Sequence, residues 1–156
     1  MFYESIAKVY DYIFPKNRKQ LEFVESIKKI SNEEKILDIG CATGNLTELL
    51  GEKTGNVVGI DLDKELLKEA KDKHPNLNFE NMNMLKINEK FEENSFDRVV
   101  SFGNTLVHLD SREEVEEFFQ KVYKTLKFNG FFIVQIINYN RVIEKNIKNL
   151  PTIDNE

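Results

Sequence analysis

The run ILDIGCATGNL, residues 36–46, constrains the fold more than any other part of the chain. Four residues suited to a buried strand lead straight into a turn with Gly40 and Gly44, and then into a helix. A short strand of this kind belongs in a parallel sheet with both faces covered. The two glycines allow backbone conformations and close approaches that a side chain would block, so a ligand can lie against the main chain where the helix begins. Asp38 stands near the strand's end, where its carboxylate can face a cationic group. Taken alone, the run is equally compatible with a tight strand–helix turn that holds nothing.

The rest of the chain repeats the alternation. A short helix is expected over residues 5–14, with Ile6, Val9, Tyr10 and Ile13 on one face, and a second over 17–30. NVVGID reads as a second buried strand, followed by a helix that Asp63 caps and that stops before Pro75. LNFENM is a weaker strand, then comes an acidic loop through Asn94, and FDRVVSFG is a fourth strand. Ser111 caps REEVEEFFQKVYKTLK, whose apolar face is Val115, Phe118, Phe119, Val122 and Leu126. GFFIVQII is a fifth strand, and a last helix starts near Tyr139. Strands alternating with helices predict an α/β fold, a mostly parallel sheet of about five strands between two helical layers. Ligands in such folds sit beyond the carboxyl ends of the strands, where the first strand delivers the glycine turn.

The 156 residues suffice for one domain, read as an N-terminal helical part (1–30), a βα core (31–138) and a terminal helix or tail (139–156). A net charge of −5 gives no electrostatic footprint for nucleic acid. Cys41 is the only cysteine, so no internal disulfide can form, and with two scattered histidines no metal site is expected. Charges interrupt the apolar N-terminus, and no apolar segment approaches the roughly 20 residues of a membrane span. A cytoplasmic protein is the expectation.

Asp61 ends the second strand at about the distance where nucleotide-binding folds place an acid for ribose hydroxyls. An acid at the end of a buried strand needs donors, and a ribose diol supplies two. Glycine turn and acid together predict an adenosine-type ligand. The dinucleotide fingerprint would need glycine where Ala42 and Asn45 stand, and the phosphate-binding loop would need a lysine after its last glycine. The chain has neither.

ILDIGCATGNLTELL resembles the first motif of the S-adenosylmethionine-dependent methyltransferases with the Rossmann-like fold. VVGIDLDKELLKEAK, NFENMNMLKI and FDRVVSFGNTLVHL are similar to their second, third and fourth motifs, and LKFNGFFIVQIINYN to the segment around their fifth strand. The resemblance implies strand order 3-2-1-4-5 and S-adenosyl-L-methionine as cofactor, with S-adenosyl-L-homocysteine as product. It implies that Gly40, Cys41, Ala42 and Gly44 receive the methionine part, with Asp38 at its ammonium and Phe102 beside them. It implies Asp61 at the ribose, Leu62 on the adenine, Asn83 accepting from the adenine amino group and Met84 closing that slot. Asn83 stands where the family usually has an acid, and Ala42 where it has a glycine.

SFGNTLVHL resembles a segment of methyltransferases similar to the glycine and sarcosine N-methyltransferases. That reading puts Asn104 and His108 near the sulfonium or the acceptor, while a turn residue and a packing residue are the alternatives for them. The N-terminal helix resembles the lid of such enzymes, with Tyr10 over the cofactor or in the core. The implied reaction moves a methyl group to nitrogen or oxygen of a small molecule. The family's sheet usually has seven strands, and the last two are absent here. The chain is then a piece of a longer enzyme, or pairs its fifth-strand edge with another copy as a homodimer, or is a cofactor-binding module without turnover.

Overall fold

A computed structural model describes residues 6–148. The expected helix start at Ser5 and the tail over 149–156 lie outside the described residues. A 3-10 turn (Ala7–Val9) leads into α1 (Tyr10–Ile13), and α2 covers Arg18–Ile27. Then follow β1 (Ile36–Ile39), α3 (Asn45–Gly51), β2 (Val57–Asp61), α4 (Lys64–Lys73) and β3 (Asn78–Asn81). A 3-10 turn (Met84–Lys86) precedes α5 (Ile87–Lys90), and β4 is Phe96–Ser101. Another 3-10 turn (Thr105–His108), α6 (Arg112–Thr125), β5 (Leu126–Val134) and α7 (Tyr139–Glu144) complete the order.

All five strands are parallel, in the order β3-β2-β1-β4-β5 that the resemblance implied. Every residue of the central strand β1 is buried, because helices cover both faces of the sheet. On one face, Leu21 and Val24 of α2 and Leu46, Leu49 and Leu50 of α3 pack on Ile36, Val57, Val100 and Ile133. On the other, Phe118 and Val122 of α6 and Ile87 of α5 pack on Leu37, Ile39, Ile60, Phe96 and Val99. The caps follow local sequence. Asn17, Asp63 and Ser111 each accept from backbone N–H groups in the first turn of α2, α4 and α6.

Three features differ from the expected pattern. The segment after β3 is not simply a loop, since it winds into a 3-10 turn and α5 and lays Ile87 into the core. β5 begins at Leu126 rather than Gly130, straight out of α6, and a register shift separates Phe96↔Leu126 from Arg98↔Phe131. Asn129, in the left-handed region at φ +61°, lies within that bulge. The third is Arg98, a wholly buried arginine in β4. Its Nε meets Glu34 Oε2 at 2.5 Å, and its guanidinium donates to Val24 O (3.1 Å) and Lys29 O (3.0 Å). A buried charge needs such complete pairing, and here the pairing also satisfies a carbonyl in the last turn of α2. The outer edge of β5 has no strand partner among the described residues, and Phe128 beside it is 92% exposed.

Candidate functional site

The glycine turn between β1 and α3 holds three left-handed residues, Gly40 (φ +76°), Ala42 (φ +48°) and Gly44 (φ +81°). At Gly40 a side chain is excluded twice over, by its φ and because an added Cβ would stand 2.2 Å from Thr105 Oγ1. Ala42 takes the same region with a Cβ, a strain of about 1–2 kcal/mol. The bond from its N–H to Asp61 Oδ2 (2.8 Å) holds it there. Asp61 Oδ1 accepts from Asp63 N (2.9 Å), so this carboxylate ties the carboxyl ends of β1 and β2 together. Burial pushes the Asp61 carboxyl above its ordinary value.

Asp38, 2% exposed, accepts from Thr47 Oγ1 of α3 at 2.7 Å. Burial, reinforced by the Asp61 charge, pushes its carboxyl up to about 7. Cys41 is buried against Leu67, Ala70 and Phe79, and burial raises its thiol well above the usual value. It is a packed turn residue.

A cavity of about 600 Å³ opens beside the turn, within the range of small-molecule and cofactor sites. Asp38, Gly40, Cys41 and Ala42 form its floor, Phe102 and Gly103 after β4 one wall, and Tyr10, Ile13 and Phe14 of the N-terminal segment the opposite wall. The structure therefore brings Tyr10, Asp38, Gly40, Cys41, Ala42 and Phe102 to one cleft. Gly44 shapes the turn from behind, where an added Cβ would meet Phe79 at 2.7 Å.

Asp61 and the adenine-side candidates are not among the residues that line this cavity. Leu62 is 66% exposed, Met84 packs partly buried against the α5–α6 side of the core, and Asn83 Oδ1 accepts from Leu85 N (2.8 Å) as a cap. On the acceptor side, Asn104 (φ +70°) donates from Nδ2 to Tyr139 Oη (3.1 Å) and accepts from Ile137 N (3.1 Å). It staples the loop after β4 to the segment after β5. His108 is exposed at the end of its 3-10 turn and is not among the cavity-lining residues.

Sequence reasoning missed Thr47, the partner of Asp38, and Asp11, which accepts from Thr43 and Asn45 of the turn. A threonine on the sheet-facing side of a helix was the one available signal for the first. Nothing local signals the second.

Two carboxylates with no cationic partner among the described residues, beside a backbone turn that excludes side chains, fit a ligand bearing an ammonium group and hydroxyls. The family model for the methyltransferase domain matches residues 36–130, and the chain belongs to that family. S-adenosyl-L-methionine is the cofactor of the class. An uncharacterized protein of Methanocaldococcus jannaschii is 32% identical over 141 residues, which cover 88% of this chain and 51% of that protein. Glycine/sarcosine N-methyltransferase of Aphanothece halophytica is 25% identical over 134 residues, 83% of this chain and 50% of that one. The fold matches an S-adenosylmethionine-dependent methyltransferase from Clostridium acetobutylicum with a TM-score of 0.72 at 24% identity, over 93% of this chain and 61% of the other. The chain spans about half the length of these curated relatives. Among the described residues no helix is long and apolar enough to cross a membrane.

Proposed function

We propose that the cleft binds S-adenosyl-L-methionine and that the chain transfers its methyl group to nitrogen or oxygen of a small molecule. The observation that carries this reading is the pairing of Asp38 and Asp61 at the ends of adjacent strands, around a turn whose left-handed residues leave the backbone bare. Asp38 faces the ammonium of the ligand and Asp61 its ribose hydroxyls. Leu62, Asn83 and Met84 stand on the side where the adenine would extend.

The bound cofactor supplies a methyl group already activated on a sulfonium, so the protein has to align the acceptor and exclude water. Tyr10, Ile13 and Phe14 exclude water from one side, while Phe102 and Gly103 form the wall from which an acceptor would approach. The net charge of −5 favours a small acceptor over nucleic acid. Binding without turnover is the second reading. It is favoured by the cavity lining, where, among the described residues, Asp38 is the one carboxylate and no histidine stands.

Calorimetric titration with S-adenosylhomocysteine tests the binding. The parent is expected to bind, and a folded Asp61→Ala variant to bind about tenfold or more weakly, the loss of one or two hydrogen bonds. A folded parent that does not bind would sink the reading. Transfer of labelled methyl from the cofactor into a metabolite pool then separates an enzyme from a binding module.

A further inference from the structure

The N-terminal wall of the cleft is held by little apolar burial. Ala7 is the only buried hydrophobic residue described before Leu21, and neither large core cluster contains a buried residue from this segment. α1 has four residues, far too few to be stable alone. Polar bonds therefore contribute much to its position, and several of them converge on one side chain. Asp11 Oδ1 accepts from Thr43 Oγ1 (2.5 Å) and Asn45 Nδ2 (3.1 Å), and Oδ2 accepts from Lys73 Nζ of α4 (2.5 Å). Asn45 Nδ2 also reaches Phe14 O at 3.4 Å.

Two further ion pairs strap the segment to α3, Lys16 to Glu48 and Arg18 to Glu52. Arg18 and Glu52 are 65% and 42% exposed, and pairs of that kind contribute little. Asp11 differs from both. One of its partners, Thr43, is wholly buried in the glycine turn, and its three donors come from the turn, the start of α3 and the end of α4.

We infer that Asp11 is a positioning residue of the cleft, a latch that fastens the wall of Tyr10, Ile13 and Phe14 to the glycine turn and so governs how fast a ligand enters and leaves. This inference rests on the proposed cofactor reading for the identity of the ligand, though the tether itself does not. Release of the turn by Asp11 lets that wall move away and speeds exchange of a ligand held against it. Thr43 and Asn45 sit on the loop that would receive the methionine part, so the latch and the ligand share one piece of backbone.

The test measures S-adenosylhomocysteine release by stopped-flow displacement in the parent, Asp11→Ala, Asp11→Asn and Lys73→Met. Asp11→Ala is expected to release the ligand about tenfold faster or more, and to lower the melting temperature of the ligand-free chain only as far as the unpaired Thr43 hydroxyl costs. Asp11→Asn keeps an acceptor for Thr43 and is expected to recover part of the effect, a graded response that general destabilisation does not produce. Lys73→Met leaves the turn untouched and carries the test if Asp11→Ala fails to fold. Release rates equal to the parent's in these variants would overturn the latch. If the parent itself does not bind, the cofactor reading fails, and hydrogen exchange over residues 6–17 of the ligand-free chain decides the tether. Faster exchange in Asp11→Ala supports it, and equal exchange removes it.

Discussion

The two sides of the cleft are built by different means. On the β1–β2 side the position of every atom follows from backbone geometry and burial: left-handed residues at 40, 42 and 44, a carboxylate binding two backbone N–H groups, and a strand with no exposed residue. On the β4–β5 side the loops are joined by side chains of partly exposed residues. Asn104 reaches Ile137 N and Tyr139 Oη, and Gln135 Oε1 accepts from Gly103 N. The first construction tolerates almost no change, whereas the second can be re-tailored by exchanging single side chains. Such a division suits a fixed cofactor and a variable acceptor, since binding loops vary most where a rigid scaffold carries them.

The largest expected effect comes from the charge buried on the rigid side. The folded chain holds the Asp38 proton up to about pH 7, whereas the unfolded chain releases it near 3.8. The folded state thus binds more protons between those values. Its stability from this group is fully present below 3.8 and is lost as pH rises through 7. Asp38→Asn should remove that fall, up to about 4 kcal/mol in the ligand-free chain, as read by urea unfolding across pH. In the parent, S-adenosylhomocysteine affinity should rise from about pH 6 to about pH 8 as the carboxylate forms, and the Asn variant should show no such rise.

Gly40→Ala comes next. It places a Cβ at φ +76° and against Thr105, and should lower stability by about 2–3 kcal/mol and cripple ligand binding. Adding Thr105→Ala should return only part of the loss, because the backbone strain remains. Asn104→Ala on the opposite side is the smallest. Equilibrium unfolding should register about 1 kcal/mol. S-adenosylhomocysteine affinity should stay within about twofold while acceptor KM changes. A loss of cofactor affinity as large as that of Gly40→Ala would erase the distinction between the two sides.

The same division explains what the sequence made legible. The glycine turn and the caps Asp63 and Ser111 were readable because each satisfies a requirement set within a few residues of itself. The strand order followed from the alternation and the resemblance. What stayed hidden joins distant positions: Asp11 to Thr43 and Lys73, Asn104 to Tyr139, Arg98 to Glu34. A carboxylate on a short amphipathic helix, or an arginine inside a strand, carries no local mark of its partner. The winding of residues 84–90 was missed for a related reason, since a single buried residue, Ile87, decides it. The early start of β5 was hidden by the bulge at Asn129.

The Arg98 cluster also sets an order of assembly. Arg98 comes 64 residues after Glu34, 69 after Lys29 and 74 after Val24. A nascent chain leaving the ribosome therefore carries α2 for most of a sheet's worth of synthesis with two carbonyls and a carboxylate still waiting for the guanidinium that will bind them. The Arg98 cluster can close only after β4 has emerged, whereas Thr43, Asn45 and Lys73, the partners of Asp11 in the cleft wall, all precede β4 in the chain. The two tethers of the N-terminal part therefore become available at different stages of synthesis, the one at Asp11 before the one at Arg98.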